Sequence, residues 1–210
     1  MIALIDYGAG NLRSVEKALR FLGAPVQLVR EPDQVQHAQA MVLPGVGAFD
    51  DCLQTLNQQG LLPVIRDFIH SKRPFLGICV GYQALFERSE EFASQASGLG
   101  LFAGRVVKFP PQPGLKIPQI GWNQVRYARK DCPLFENIPD NSFFYFVHSF
   151  FPQPQDPSLI AGYTSHGVDY ASVIWRDAVF ATQFHPEKSQ KVGLQLLRNF
   201  LQFARIKTDR

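Results

Sequence analysis

The residues best suited to covalent chemistry stand where a short apolar run ends, in Gly77-Ile78-Cys79-Val80-Gly81. Residues 75–78 predict a buried strand, and the residues that follow, through Glu87, have helical character. A cysteine on a sharp strand-to-helix turn between glycines presents its side chain as a nucleophile elbow does. The start of a helix also favours thiolate over thiol. Cys79 is therefore a predicted nucleophile; the alternative is a buried structural thiol.

A thiolate nucleophile needs an acid–base partner, and His185-Pro186-Glu187 supplies the best candidate. Pro186 keeps residue 185 extended, and residues two apart on an extended chain point to the same side. Glu187 can then orient the His185 ring, as the acid does in a catalytic triad. The alternative is a strand end with a solvated glutamate. His148 lies within an aromatic run, and surface or structural roles are expected for three others: His37, His70 and His166.

Attack on a carbonyl carbon creates an oxyanion, which backbone N–H groups commonly stabilise. One donor is predicted at Val80, the residue after the nucleophile. The other is predicted at Val46, within the strand-end segment Pro44-Gly45-Val46-Gly47. Glycines on both sides would allow unusual dihedral angles there. Taken alone, this segment is equally typical of a tight turn without a catalytic role.

The elements that must position these residues alternate strands with helices in the first half of the chain. Strands are predicted at residues 2–5, 25–29, 40–43 and 75–78, with a helix from Leu12 and two short helices, broken by Gly60 and Pro63, before the fourth strand. In the second half, short connections between aromatic-rich runs predict antiparallel strands at 143–151, 159–163, 171–175 and 179–184. A closing helix is predicted at 190–203, with Ser189 as its N-cap.

These elements predict one domain over residues 1–210, of the α/β class. We expect three layers, with a mostly parallel central sheet flanked by helices and an additional antiparallel region in the second half. A chain of 210 residues can bury a sufficient core without disulfide or metal staples.

Composition excludes several classes of function. Twenty-one basic and eighteen acidic residues leave a net charge of +3, too small and dispersed to predict binding to nucleic acid or an anionic membrane. No apolar run approaches the roughly 20 residues of a membrane-spanning helix, and the first residues lack the features of a secretory signal. Three cysteines without a C-x-x-C pattern predict neither a disulfide framework nor a zinc site. We expect a cytoplasmic protein with no metal and no cofactor.

Together, the cysteine and histidine segments resemble the class-I glutamine amidotransferases, which use a catalytic triad. More specifically, the chain resembles the glutaminase subunits of imidazole glycerol phosphate synthase, an enzyme of histidine biosynthesis, in order from residue 2 to about 203. Five segments carry this resemblance: Asp6-Tyr7-Gly8-Ala9-Gly10-Asn11-Leu12, Pro44-Gly45-Val46-Gly47-Ala48-Phe49, Gly121-Trp122-Asn123, Tyr145-Phe146-Val147-His148-Ser149 and Phe184-His185-Pro186-Glu187-Lys188-Ser189.

The resemblance implies that Cys79 attacks the side-chain amide of glutamine and that His185, oriented by Glu187, protonates the departing ammonia. Water would then hydrolyse the glutamyl thioester. The remaining implied roles belong to the glutamine pocket: Gln83 and Glu91 at the amide and amino ends, Ser149 and Phe150 at the carboxylate, and Gly47 beside them. The sequence departs from the family pattern at Val80, Tyr82, Phe150 and the pair Gln119-Ile120.

The resemblance also implies a partner, a separate (β/α)₈ cyclase subunit that consumes the ammonia to make imidazole glycerol phosphate and an aminoimidazole carboxamide ribotide. Lys188 matches a residue near that interface. A glycine-flanked loop can rest with a carbonyl facing the oxyanion position, so we expect the isolated chain to be a poor glutaminase.

Three other functions fit parts of the sequence. The chain could be an amidotransferase for another acceptor, such as a chorismate-derived one, or a non-catalytic scaffold. A dinucleotide-binding protein is also compatible with Gly8-Ala9-Gly10 and the later Glu31, although Arg13 stands where that fingerprint requires a third glycine.

Overall fold

The computed structural model describes residues 1–8 and 11–208. Ala9 and Gly10, on which the dinucleotide hypothesis partly depends, lie outside the described residues. Within the described part of the chain there are five α-helices: α1 (Leu12–Phe21), α2 (Phe49–Gln58), α3 (Leu61–His70), α4 (Val80–Gln83) and α5 (Gln190–Phe203). The same residues form twelve strands: β1 (Ile2–Ile5), β2 (Val26–Val29), β3 (Ala40–Leu43), β4 (Phe75–Ile78), β5 (Arg88–Ser89), β6 (Gly104–Lys108), β7 (Gln119–Tyr127), β8 (Ser142–His148), β9 (Phe150–Pro154), β10 (Ile160–His166), β11 (Val168–Arg176) and β12 (Val179–Thr182).

Nine strands form one sheet in the order β2-β1-β3-β4-β12-β11-β10-β7-β8. The first five are parallel to one another, and the pairings from β12 to β8 are antiparallel. All residues of β1, β3, β4 and β12 are buried, because the parallel part is covered on both faces. A small second sheet has the order β5-β6-β9. The predicted fold class is confirmed, with the antiparallel region continuing the central sheet.

The flanking helices form where apolar residues recur at helical spacing. In α1, Val15, Ala18 and Leu19 are buried, and α5 buries a longer stripe that includes Leu196 and Phe200. The bounds of α5 match the predicted residues 190–203. It is the longest described helix, and no helix in the described residues is long and apolar enough to cross a membrane.

Two local predictions about helix boundaries were confirmed only in part. Pro63 does not break a helix, because it lies in the first turn of α3, where a missing N–H removes no intrahelical bond. The predicted break at Gly60 is present, since Gln59 and Gly60 separate α2 from α3. Ser189 precedes α5, but its hydroxyl does not cap the helix. It donates to the His185 carbonyl at 2.7 Å and accepts from the Tyr145 N–H at 3.0 Å, so it joins α5 to the sheet.

Three predicted elements differ from their sequence patterns: the helix after Cys79 is shorter, the run at 143–151 is divided, and the strand predicted at 179–184 ends at Thr182. The helical character through Glu87 yields only the four residues of α4, because the carbonyls of residues 84–86 accept hydrogen bonds from the backbone of residues 99–102. The aromatic run at 143–151 forms two strands rather than one. The chain leaves β8 at Ser149 and enters β9, which belongs to the second sheet.

Candidate active site

The order of strands brings together residues that are far apart in the sequence. Strands β4 and β12 are parallel neighbours, with Ile78 opposite Thr182, and the Cys79 N–H donates to the Thr182 carbonyl at 2.8 Å. Cys79 follows the end of β4, and His185 comes three residues after the end of β12. Because carboxyl ends of parallel strands meet at one edge of a sheet, both residues lie at the same edge. The loops after β1 and β3 lie at this edge as well.

Cys79 stands on a strained turn. Its backbone has φ 55° and ψ −108°, which a non-glycine residue adopts only when its surroundings enforce it. The enforcement comes from close packing: a Cβ atom on Gly81 would lie 1.9 Å from the carbonyl oxygen of Leu43 on β3. Only glycine permits this approach of α4 to the neighbouring strand. The turn predicted from G-x-C-x-G is present, although the helix after it has a single turn.

His185 and Glu187 form a buried pair behind the cysteine. His185 Nδ1 lies 2.8 Å from Glu187 Oε1, and both side chains are almost fully buried. A carboxylate oxygen can only accept, so Nδ1 carries a proton. His185 Nε2 is buried and has no hydrogen-bond partner among the described residues, which leaves it available for proton exchange. Burial lowers the pKa of the His185 ring, but the nearby Cys79 and Glu187 more than offset this effect and raise it to about 10.

Two side chains at this centre were missed by sequence reasoning. Asn11, from the loop after β1, donates to Glu187 Oε1 at 2.6 Å. Gln183 Nε2 lies 3.6 Å from the Cys79 sulfur, and Gln183 Oε1 accepts from Gln83 Nε2 at 3.3 Å. A signal for Gln183 existed, because it is a polar residue in an apolar run, two positions before His185. No sequence signal connects Asn11 with a glutamate 176 positions away.

The predicted oxyanion loop packs directly on the elbow. A Cβ atom on Gly45 would lie 2.7 Å from Val80 Cβ and 2.8 Å from the Gly81 nitrogen, so this contact also requires glycine. Val80 is the first residue of α4, and its N–H therefore has no acceptor within the helix. Val46 and Val80 both border the cavity onto which Cys79 opens.

That cavity has a volume of about 370 Å³, large enough for a small metabolite. Every predicted site residue except the triad members His185 and Glu187 borders it. Its lining consists of Val46, Gly47, Cys79, Val80, Gln83, Glu91, Pro118, Val147, His148, Ser149, Phe150 and Lys188. Within the described residues, no cluster of three or more histidines, cysteines, aspartates or glutamates is arranged to hold a metal ion.

A family model described as glutamine amidotransferase class-I matches residues 3–203. This chain belongs to that family. Relatives named imidazole glycerol phosphate synthase subunit HisH are 50% identical in Synechococcus sp. (strain JA-3-3Ab), covering 97% of this chain and 94% of the relative, and 50% identical in Thermosynechococcus vestitus, covering 95% of each. A relative of the same name from Desulfitobacterium hafniense is 48% identical over 95% of this chain and 93% of its own length.

Solved structures support the same amidotransferase fold. The structure of PurLQS from Thermotoga maritima superposes with a TM-score of 0.76 at 18% identity, covering 96% of this chain and 97% of that one. A glutamine amidotransferase from the same organism superposes with a TM-score of 0.64 at 15% identity, over 97% of this chain and 81% of that one. At these identities the likeness establishes the fold alone.

Two pocket residues of this amidotransferase already have protein partners. Glu91 Oε2 accepts from the Phe49 N–H, at the start of α2, at 2.8 Å. Burial raises the pKa of Glu91, the Phe49 N–H opposes that rise, and Asp50 and Asp51 add to it. The Phe150 carbonyl accepts from Gln83 Nε2 at 3.0 Å, which ties α4 to the start of β9. Hydrogen bonds within the protein thus hold this part of the cavity wall in place.

Proposed function

We propose that this chain is the glutaminase subunit of imidazole glycerol phosphate synthase and acts in histidine biosynthesis. The observation that carries the chemistry is the strained Cys79 turn, open to the cavity and backed by the His185–Glu187 pair. Relatives of about 50% identity over nearly the whole chain support the pathway. No cofactor enters the proposed reaction.

The first half-reaction forms a thioester. The Cys79 thiolate attacks the side-chain amide carbon of glutamine, and the negative charge that develops on the amide oxygen is stabilised by the N–H groups of Val46 and Val80. His185 Nε2, which took the proton of the Cys79 thiol when the thiolate formed, then gives that proton to the amide nitrogen, the C–N bond breaks, and ammonia leaves. Glu187 supports the proton transfer by keeping the other ring nitrogen protonated.

The second half-reaction restores the enzyme. His185 takes a proton from water, the resulting hydroxide attacks the thioester carbon, and the C–S bond breaks to release glutamate. Glutamine is oriented for both steps by the cavity wall. We assign its side-chain amide end to Gln83, its amino group to Glu91 and its carboxylate to the backbone of Ser149 and Phe150, with Gly47 completing the pocket.

We assign the docking of the (β/α)₈ cyclase subunit to the exposed face of the β7–β8 ribbon. Large apolar side chains project from it: Ile120 is 63% exposed, Trp122 46% and Phe143 53%. Strand register places Ile120 opposite Val147 and Trp122 opposite Tyr145 on this face. Exposed apolar clusters of this kind mark interaction sites. Val147 also borders the cavity, so a partner on this face would meet the ammonia where it forms.

Lys188 completes the proposed interface. It borders the cavity, and its Nζ lies 5.8 Å from the centre of the Tyr145 ring. It stands between the catalytic pair and the ribbon face, where a partner's carboxylate could reach it. The three cysteines are free thiols, which suits the cytoplasmic location that we include in this proposal.

The proposal is tested by co-purification with a candidate cyclase, followed by glutaminase assays of the chain alone and of the complex, with and without cyclase ligand. We expect a stable complex, slow hydrolysis by the isolated chain, and strong stimulation when partner and ligand are present. If the isolated chain and the liganded complex hydrolysed glutamine at equal rates, the idea that the partner controls the conformation of the Gly45-Val46-Gly47 loop would be contradicted. If a chorismate-using partner stimulated glutamine hydrolysis instead, the chain would be an amidotransferase subunit for that other acceptor of ammonia.

A further inference from the structure

A buried chain of hydrogen bonds starts at the proposed carboxylate subsite and is not used by the chemistry above. His148 Nδ1 lies 2.8 Å from the Phe150 carbonyl oxygen, and His148 Nε2 lies 3.2 Å from the Tyr170 hydroxyl. The same hydroxyl is 2.8 Å from Oε1 of Gln119, which stands opposite His148 in the β7–β8 pair. All three side chains are at most 7% exposed.

The direction of each bond follows from which atoms can donate. The Phe150 carbonyl can only accept, so His148 Nδ1 carries a proton and donates it. Burial lowers the pKa of His148 to about 3, against a smaller opposing effect of the Phe150 carbonyl, so the ring is neutral at physiological pH and Nε2 only accepts. Tyr170 has one proton to give: with Gln119 as placed it goes to Gln119 Oε1 at 2.8 Å, and with the Gln119 amide turned over it goes to His148 Nε2. Gln119, whose Nε2 has no partner among the described residues as placed, can in turn donate to Tyr170 after half a turn of its amide.

Aromatic rings enclose this chain, and Thr164 is a further side-chain hydrogen-bond partner of Tyr170. The Tyr170 ring packs 5.0 Å from Phe151 and 5.3 Å from Phe109, and Phe109 lies 5.2 Å from the His148 ring. In such an apolar setting a hydrogen bond is stronger than in water, and a lost partner is costly to replace. The tautomer of His148 is thus held by Tyr170, as second partners of functional histidines hold theirs.

We propose that Tyr170, acting through His148, is a positioning residue that fixes the backbone at Phe150, beside Ser149, for the carboxylate of glutamine. The inference rests on the proposed function and deepens it. Phe150 is the residue whose carbonyl is held from two sides, by His148 and by Gln83, and the backbone around it borders the cavity. Removing the Tyr170 hydroxyl frees His148 to rotate or change tautomer, and the Phe150 carbonyl then loses one of the two side-chain hydrogen bonds that hold it.

Tyr170→Phe tests this role, because it keeps the ring and removes only the hydroxyl. In the complex with the cyclase, we expect KM for glutamine to rise about five- to tenfold while kcat changes less than twofold, the loss of about one hydrogen bond. In the isolated chain, iodoacetamide should alkylate Cys79 at the wild-type rate, but five- to tenfold more glutamine should be needed to protect it. Tyr163→Phe, on neighbouring β10 and remote from the cavity, is the matched control and should change neither value.

A second pair of variants separates positioning from general packing. Asparagine carries an amide donor near the place of His148 Nδ1 but lacks Nε2, so His148→Asn should keep KM within about threefold of wild type, whereas His148→Ala should raise it about tenfold. In the His148→Asn background, Tyr170→Phe should have no further effect on KM, since the tautomer it controls is gone.

Three outcomes would overturn the inference. The first is an unchanged KM in Tyr170→Phe, and the second is a parallel fall in kcat and alkylation rate, which would indicate a purely structural role. The third is an equal effect of Tyr170→Phe in wild-type and His148→Asn backgrounds. Failure of the proposed function gives a different result. The wild-type complex would not hydrolyse glutamine, and glutamine would not protect Cys79 of the wild-type chain from iodoacetamide.

Discussion

The two halves of the central sheet contribute differently to the site. The parallel half, β2-β1-β3-β4-β12, provides the atoms proposed to react, and it does so at strand ends, where short loops leave the sheet at one edge. The antiparallel half, β11-β10-β7-β8, provides the proposed carboxylate support and docking face from within its strands. The site lies where the two halves meet, at β12 and β11.

The difference teaches how each half can be perturbed. In the parallel half, function depends on glycines at which two backbone segments come into close contact. Adding one methyl group at such a glycine should therefore strongly disturb the packing of the elbow. In the antiparallel half, function depends on individual side chains, on a buried polar chain on one face of the ribbon and on exposed apolar residues on the other. Changes in the first half should therefore affect chemistry or folding, and changes in the second should affect substrate affinity, partner affinity or the pH dependence of stability.

The largest expected effect is the removal of the nucleophile. Cys79→Ala should lower glutamine-dependent synthesis by the complex roughly 10⁴-fold or more, while synthesis from added ammonium continues at the wild-type rate, because the docking face is untouched. Cys132→Ala, which removes another buried thiol, is the control and should leave glutamine hydrolysis unchanged. Loss of the ammonium-dependent reaction as well would point to a structural role for Cys79.

The elbow packing predicts a large effect on stability. Gly81→Ala should lower the free energy of unfolding by about 3 kcal/mol, because the added Cβ would lie 1.9 Å from the Leu43 carbonyl oxygen and force the elbow away from β3. Gly114→Ala, at φ 79° with open space around it, should lower it by only about 1–2 kcal/mol. Urea unfolding measures the free energy of unfolding of both variants. Equal losses would show that the elbow relieves the contact between residue 81 and the Leu43 carbonyl at little cost.

The ribbon face predicts an effect on partner binding alone. Trp122→Ala should weaken binding of the cyclase about 30-fold, as loss of a central aromatic anchor does, with no change in the stability of the isolated chain. Calorimetric titration of the chain with its partner measures this. The control is Phe21→Ala, an exposed aromatic at the end of α1. A similar loss of cyclase affinity in both variants would show that the β7–β8 ribbon is not the docking face.

The support of Glu187 predicts a moderate effect on catalysis. Asn11→Ala should lower kcat of the complex about tenfold, because the Glu187 carboxylate loses a charge-assisted hydrogen bond and orients His185 less well. KM for glutamine should stay within twofold, since Asn11 does not border the cavity. Asn57→Ala, on the exposed side of α2, is the control, and an effect of Asn11→Ala confined to KM would contradict this role.

The last expected effect is on the pH dependence of stability, through His148, and it appears only in acid. Burial, helped by His166 and His185, lowers the pKa of folded His148 to about 3, against about 6.5 when unfolded. Between these values the unfolded chain binds more protons, so the stabilising contribution is complete above pH 6.5 and is lost as pH falls toward 3. Wild type should lose up to about 1.4 kcal/mol more per pH unit than His148→Asn over pH 6–4, measured by urea unfolding. Parallel slopes would show that His148 is protonated in the folded chain.

Much of the fold followed from periodicity and from apolar runs. Strands β1, β3 and β4 and helix α5 have their predicted bounds, because a doubly buried strand or a long amphipathic helix leaves a strong local pattern. Two failures came where tertiary partners competed for hydrogen-bonding groups, whereas Pro63 failed as a helix breaker for a local reason, its place in the first turn of α3. Helix α4 stops because residues 99–102 bind the carbonyls that would continue it, and Ser189 bonds to His185 and Tyr145 instead of its own helix.

The sequence by itself determined the chemical types that this protein can use: a thiol framed by glycines, and an imidazole with a carboxylate two residues away. These are local facts of spacing and conformation. Only the tertiary structure decided that Asn11 supports Glu187, that Gln183 reaches the sulfur, and that His148, Tyr170 and Gln119 form one buried chain. Such contacts depend on strand order and register, which bring together residues from distant parts of the chain, and no local pattern records which strands will be neighbours.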